Sequence, residues 1–127
     1  MYGTSLKRSV PMKNDNIVPV LLGGDLNSYS TALAFREAFG VTSHAYARYR
    51  CGATENSRFI KTHIFPELEY VSLSAAELLS FSDRHTEGEL YLVPCADRYV
   101  KMLEYSKDIL SPVYHIHIPE YDHFSLL

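Results

Sequence analysis

The stretch IVPVLLGGDLN, residues 17–27, decides the fold of this chain. Residues 17–22 form a short, nearly continuous apolar run, which is typical of a strand buried on both faces of a parallel sheet. Pro19 has no backbone N–H to donate to a ladder, which argues against a central position with full pairing for this strand. Gly23 and Gly24 then allow a tight turn. The stretch therefore predicts a strand, a glycine turn and the start of a helix.

The helix after this turn is indicated by a change of period. Apolar side chains recur at helical spacings at Tyr29, Ala32, Leu33, Phe35 and Phe39. Asn27 suits the N-cap position, and Gly40 suits the position just after the last turn. These residues predict a helix over 28–39 with a stop signal at each end.

The same unit of strand, turn and helix recurs along the chain. Further strands are predicted at 43–49, 59–65, 89–93 and 113–118, and residues 50–57 are predicted to form a loop. Ser74 and Glu77 have the spacing of a capping box for a second helix, and Asp97 is placed to cap a third. Pro119 is suited to begin a last helix over 120–127.

Strands that alternate with helices imply parallel pairing through right-handed crossovers. The predicted fold class is therefore α/β, a Rossmann-like three-layer open sheet of about five strands, mostly parallel. Residues 1–16 show no apolar period and are predicted to be a flexible N-terminal arm. The α/β domain is expected to occupy residues 17–127.

Composition excludes several classes of function. The 127 residues are 46% hydrophobic and 21% charged, which suits one globular domain. A net charge of −3 gives no broad attraction to nucleic acid or to an anionic membrane, and no apolar run approaches the ~20 residues of a membrane helix. Cys51 and Cys95 lie outside any CxxC motif, which favours a reducing cytoplasmic location.

The glycine turn is the main candidate for a binding site. Its glycines allow a ligand close to the backbone, and the helix start offers N–H groups to a carboxylate or phosphate. A second turn takes the matching place after the strand at 89–93, so ligands are expected at the shared carboxyl edge. The predicted substrate-binding residues are Gly23, Gly24, Asp25, Asn27, Ala96 and Asp97. The alternative is that the turns only connect elements, with Asp25 and Asp97 as turn and cap residues.

Other chemistry is weakly indicated. The turn lacks the third glycine and the later acidic residue of a dinucleotide fingerprint, although Arg48 and Arg50 could accept a 2′-phosphate. His115 and His117 share one face of a predicted strand, but no third ligand has a diagnostic spacing, so no metal is assigned. Cys95 is predicted to be a small buried residue. No catalytic residue is assigned, since no complete catalytic motif occurs.

Two segments together carry a family resemblance. VLLGGDLNSY at residues 20–29 and YLVPCADRYV at residues 91–100 resemble the N-terminal portion of ATP-grasp carboxylate-amine ligases of the D-aspartate ligase type. The resemblance runs from about Asn16 to Leu127 and implies a pre-ATP-grasp domain. Such ligases activate a carboxylate with ATP as an acyl phosphate, which an amine then attacks.

The resemblance also implies partners and cofactors. ATP and Mg²⁺ would be held mainly by ATP-grasp domains downstream, and the substrate would be an amino acid or another small carboxylate. Apart from the resemblance, the apolar end at Leu126 and Leu127 predicts a fragment that is inactive alone, and its exposed apolar surface favours a homodimer. Family members often carry Arg at the position of Leu33 and Gly at that of Ala96, so this chain departs from them there. The alternative function is a free-standing Rossmann-like module that binds a nucleotide or effector without catalysis.

Overall fold

The structure is a computed structural model that describes residues 17–86 and 88–118. The elements along these residues are β1 (Ile17–Leu22), α1 (Leu26–Phe39), β2 (Ser43–Ala47), α2 (Gly52–Glu55), β3 (Ile60–Ile64), α3 (Val71–Arg84), β4 (Glu89–Pro94), α4 (Asp97–Leu110) and β5 (Tyr114–Ile116). The predicted arm at 1–16 and the predicted helix at 120–127 lie outside the described residues.

The five strands form one parallel sheet with the order β3-β2-β1-β4-β5. The chain moves outward from β1 to β3, then returns through α3 to place β4 on the other side of β1. The direction of winding therefore changes between β1 and β4, at the centre of the sheet. This arrangement confirms the predicted α/β class with a Rossmann-like open sheet.

Alternate residues of β1 pack into the two layers of helices. Val20 and Leu22 belong to the larger core, which α3 and α4 cover. Leu21 belongs to the smaller core, which includes Ala32 of α1. Because both faces of β1 are covered, the strand is apolar at every position, as the sequence of residues 17–22 indicates.

Pro19 lies in the central strand in spite of its missing N–H. It is paired in register with Tyr91 of β4, whereas the register with β2 begins only at Val20. One edge of β1 is thus unpaired at Pro19, which fits the expectation that this residue lacks full pairing.

Two helix starts differ from the predictions. The N-cap of α1 is Asp25 rather than Asn27, because the Asp25 carboxylate accepts hydrogen bonds from the backbone N–H groups of Asn27 and Ser28. The N-cap of α4 is Ala96, and Asp97 is the first helical residue. The predicted end of α1 is confirmed, since Gly40 adopts a left-handed φ of 71°.

The predicted capping box was wrong. Helix α3 begins at Val71, so Ser74 lies inside it; its hydroxyl donates to the Val71 carbonyl and contacts Met102 Sδ of α4. Glu77 instead accepts a hydrogen bond from the Tyr46 hydroxyl. Both side chains serve tertiary packing, which local spacing does not reveal.

The loop predicted at 50–57 contains the short helix α2, and three strands are shorter than predicted. Strand β2 ends at Ala47, so Arg48 and Tyr49 belong to the following loop. None of the helices in the two described ranges is both long and apolar enough to cross a membrane.

Candidate functional site

A crevice lies at the carboxyl ends of β1, β2 and β4, at the point where the winding direction changes. Open α/β sheets commonly bind ligands at such a point. The crevice measures about 140 Å³ and is lined by Gly23, Gly24, Asp25, Ala47, Arg48, Tyr49, Cys51, Ala96, Arg98 and Tyr99. Four of the six predicted binding residues therefore line it, namely Gly23, Gly24, Asp25 and Ala96.

The two glycines of the first loop meet different requirements. Gly23 has a φ of +128°, a conformation that residues with a side chain rarely adopt. At Gly24 the constraint is space, because a Cβ there would lie 2.7 Å from the Cβ of Ala47. The loop backbone is consequently held against the end of β2.

Hydrogen bonds from three elements fix this loop. The Gly23 N–H donates to the Tyr46 carbonyl at 2.7 Å, and the Ser28 hydroxyl donates to the Gly23 carbonyl at 2.5 Å. The Thr54 hydroxyl of α2 donates to the Gly24 carbonyl at 3.4 Å. The floor of the crevice is therefore a rigid backbone surface.

Asp25 changes what this floor offers to a ligand. Its Oδ1 accepts from the N–H groups of Asn27 and Ser28 at 3.1 and 3.4 Å. The prediction that the helix start offers free N–H groups to an anion is therefore wrong for Asn27 and Ser28. Since both bonds use Oδ1, Oδ2 lies outside the cap and a ligand ammonium could approach it.

Asn27 and Asp97, the other two predicted binding residues, do not line the crevice. The Asn27 side-chain amide donates to the Cys95 carbonyl at 3.3 Å, so it ties the loop after β1 to the loop after β4. Asp97 is exposed in the first turn of α4, where a carboxylate is favoured by the helix dipole. Its neighbour Ala96 has no side-chain oxygen with which to cap that helix.

Two arginines face the crevice: Arg48, predicted only as a candidate for a 2′-phosphate, and Arg98, which no sequence pattern indicated. Arg48 Nη1 lies 3.1 Å from Glu69 Oε2, and Arg98 Nη1 lies 2.9 Å from the same oxygen. The hydrogen bond that Arg98 donates to the Glu69 carboxylate raises the pKa of the Arg98 guanidinium. The three residues are distant in sequence, so no motif spacing could reveal the cluster. Arg50, the other 2′-phosphate candidate, pairs instead with Glu55 of α2.

The two cysteines differ in access. Cys51 lines the crevice and is partly exposed. Cys95 is buried, as predicted, and burial raises the pKa of its thiol. The Cys95 thiol is therefore held protonated and is not an activated nucleophile.

The histidines of the last strand make local contacts. His115 of β5 stacks on Tyr91 and lies 3.2 Å from a carboxylate oxygen of Glu89. His117 follows the end of β5. Within residues 17–86 and 88–118, no group of three or more His, Cys, Asp and Glu side chains is arranged to hold a metal ion.

A second histidine cluster lies between β2, β3 and α3. His44 Nδ1 is 3.0 Å from His63 Nε2, and the ring of His85 packs edge-on against His44. Burial, followed by the charges of His63, His85 and Lys61, lowers the pKa of His44 from 6.5 to about 4. Burial and the nearby Arg84 guanidinium also lower the pKa of His63. His44 and His63 are therefore neutral at physiological pH.

Comparison with known proteins gives one informative similarity. The chain is 27% identical over 103 residues to the D-aspartate ligase of Enterococcus faecium (strain Aus0004), a match that covers 79% of this chain and 24% of that protein. The chain thus spans about a quarter of the length of this relative. No family model matches the chain, and no solved structure matches it. The similarity is distant and covers only part of that protein.

Proposed function

We propose that this chain is the N-terminal substrate-binding domain of an ATP-dependent carboxylate-amine ligase of the ATP-grasp type. The observation that carries the proposal is the similarity to a D-aspartate ligase over 103 residues. The open parallel sheet is compatible with a pre-ATP-grasp domain, because it has a crevice at the carboxyl edge where such sheets receive ligands.

The substrate proposed for the crevice is a small acidic amino acid. The guanidinium groups of Arg48 and Arg98 are suited to a carboxylate, and Oδ2 of Asp25 is suited to an ammonium. Drug-sized ligands fill pockets of roughly 300–1,000 Å³. At about 140 Å³ the crevice suits a ligand of amino-acid size rather than a dinucleotide.

In the proposed reaction, a substrate carboxylate oxygen attacks the γ-phosphorus of ATP and ADP leaves. The amine nitrogen then attacks the acyl phosphate carbon, so that an amide forms, phosphate departs and the amine loses a proton. This domain would bind and orient the acid through Arg48, Arg98 and Asp25, which brings the reacting groups together.

ATP and Mg²⁺ are assigned to the domains expected downstream. Bringing a phosphate and a carboxylate together requires metal ions and cationic clamps. The described part of the chain contains no cluster of carboxylates that could hold the metal, and the sequence contains no glycine-rich loop with a lysine for the phosphates. The described residues of this domain therefore do not fit an ATP·Mg²⁺ site of their own.

The second candidate is a binding module without catalysis. It is favoured by the position of the crevice at the point where the winding direction of the sheet changes, since open α/β sheets commonly bind ligands there. Such a module would bind the same kind of small anion but would not couple binding to ATP.

The test is phosphate release from ATP by the full reading frame, assayed with D-aspartate, L-aspartate and a panel of amines. A ligase requires that release depends on both the acid and the amine. Arg48→Ala and Arg98→Ala should raise the KM for the acid, whereas Arg58→Ala, an exposed arginine outside the crevice, should leave it unchanged. Binding of the acid without any turnover would favour the binding module.

A further inference from the structure

The two arginines of the crevice share one carboxylate oxygen. Glu69, in the loop between β3 and α3, accepts from Arg48 Nη1 at 3.1 Å and from Arg98 Nη1 at 2.9 Å, in both cases through Oε2. Each contact is monodentate. A guanidinium has five N–H donors, so both arginines retain donors that a second anion could use.

The bridge is open to solvent. The exposed fraction of the side chain is 36% for Arg48, 58% for Arg98 and 39% for Glu69. Ion pairs at such positions are screened by water and contribute little to stability. A carboxylate or phosphate that engages both arginines bidentately would bind them more strongly than the single Glu69 oxygen does.

The Glu69 side chain can leave this position without unfolding its loop. Leu68, the preceding residue, is 1% exposed and belongs to the main core. The Leu68 N–H donates to the Phe65 carbonyl, and the Tyr70 N–H donates to the Glu67 carbonyl. The backbone on both sides of Glu69 is thus held, and exchange requires only rotation of its side chain.

From this geometry we infer that Glu69 is an internal anion that competes with the ligand for Arg48 and Arg98. The inference rests on the proposed function, because it concerns how the same crevice takes up an anion. An anion with two or more oxygens displaces the Glu69 carboxylate from the two arginines, whereas a weak monodentate anion such as chloride does not. The ligand class is a carboxylate or a phosphate.

The experiment measures binding of inorganic phosphate and of succinate to the 127-residue chain by calorimetry and NMR titration. Removing the competitor in Glu69→Gln should tighten phosphate binding about three- to tenfold, which is about 0.7–1.4 kcal/mol. Glu67→Gln is the matched control, since it removes one negative charge from an exposed residue of the same loop, as Glu69→Gln does. It should leave the affinity within about twofold of the wild type. Arg98→Ala should weaken phosphate binding both in the wild type and in the Glu69→Gln variant.

A spectroscopic signal separates competition from a simple change in charge. In the wild type, phosphate should shift the Nε–Hε resonances of Arg48 and Arg98 together with the side-chain carboxyl resonance of Glu69. In Glu69→Gln the arginine resonances should already differ before phosphate is added. Affinity in Glu69→Gln equal to or weaker than that of Glu67→Gln would overturn the inference, as would the absence of phosphate binding in every variant.

Failure of this inference and failure of the ligase proposal give different results. If Glu69→Gln binds phosphate more tightly but the full reading frame shows no acid-dependent phosphate release from ATP, the ligase proposal fails and the inference that Glu69 competes with the ligand stands. If turnover depends on the acid but Glu69→Gln does not change the phosphate affinity, the inference that Glu69 competes with the ligand fails and the ligase proposal stands.

Discussion

A Cβ built on Gly24 lies 2.7 Å from the Cβ of Ala47, closer than two such atoms are found in proteins. The loop after β1 therefore touches the end of β2 at a point where only a hydrogen atom fits. This contact helps to set the floor of the crevice, and it explains the second glycine of the pair without any appeal to backbone strain.

Gly24→Ala should lower the free energy of unfolding by about 1–3 kcal/mol, because the new methyl group forces the loop away from Ala47. The measurement is urea denaturation followed by circular dichroism. Adding Ala47→Gly to Gly24→Ala should recover part of the loss, since it removes the opposing atom.

Gly52→Ala is the control for the Gly24 variant. Gly52 lies in α2 with open space where a Cβ would be, so this change should alter the free energy of unfolding by less than about 0.5 kcal/mol. If Gly24→Ala proved as stable as Gly52→Ala, the loop after β1 would accommodate a Cβ at residue 24, and the predicted clash with Ala47 would be wrong.

Asp25→Ala should destabilise the domain by about 1 kcal/mol, because the first turn of α1 loses its side-chain cap. Asp25→Ser should retain most of that stability, since serine also caps well. Thermal denaturation of the two variants gives the comparison. Equal losses in both would show that the charge of Asp25, rather than the cap, stabilises the domain.

The wrong N-cap predicted for α1 shows a limit of prediction from local sequence. Asp25 and Asn27 are both good N-cap residues, and the sequence offers no local reason to prefer one of them. The choice depends on Asn27 being engaged elsewhere, by the Cys95 carbonyl of a loop 68 residues away. Periodicity indicated the five strands and the helices α1, α3 and α4, but it missed the short helix α2. Strand β1 was the clearest, because burial on both of its faces leaves a continuous apolar signature.

The part of the candidate site that could be predicted lies in the two turns that follow β1 and β4, which hold Gly23, Gly24, Asp25 and Ala96. The turn at Gly23 and Gly24 follows from its place between a strand and a helix. The cluster of Arg48, Glu69 and Arg98 comes from three separate loops and helix starts that the topology brings together. Only the order of strands in the sheet decides which loops meet, and a single sequence does not contain that order explicitly.

Acidification should destabilise the domain through two half-buried histidines, His44 and His63. The pKa of His44 is about 4 in the folded chain, against 6.5 for an unperturbed imidazole, and the pKa of His63 is also lowered. The unfolded chain therefore binds more protons, and the free energy of unfolding falls as pH falls from about 6.5 toward 4. Between pH 7.5 and 5.5 the expected loss is about 1 kcal/mol for each imidazole that stays neutral, measured by urea denaturation.

His44→Gln should flatten this pH dependence, whereas His115→Gln, at the exposed far edge of the sheet, should not. The groups that face the cluster include Lys61 and Arg84, which oppose protonation, and Glu77, which favours it at His63. A free energy of unfolding that is constant from pH 7.5 to 5.5 would contradict the inference that His44 and His63 are neutral in the folded chain.

Thiol labelling should report whether the crevice is occupied. Cys51 lines the crevice and is partly exposed, whereas Cys95 is 2% exposed and burial raises the pKa of its thiol. Because the thiolate is the reactive form, an aromatic disulfide reagent should modify Cys51 in the folded domain and reach Cys95 only on unfolding. Cys51→Ser should remove the fast phase, and Cys95→Ser should remove only the phase that appears with denaturant.

A ligand bound between Arg48, Arg98 and Asp25 would cover Cys51, since all four residues line the same space. Saturating D-aspartate or inorganic phosphate should therefore slow the modification of Cys51 several-fold, and Arg98→Ala should abolish that protection. The labelled protein should in turn fail to bind these anions, because the adduct fills a crevice of only about 140 Å³. Labelling that proceeds at the same rate with and without either anion, in a protein that calorimetry shows to be saturated, would place the anion site elsewhere on the molecule.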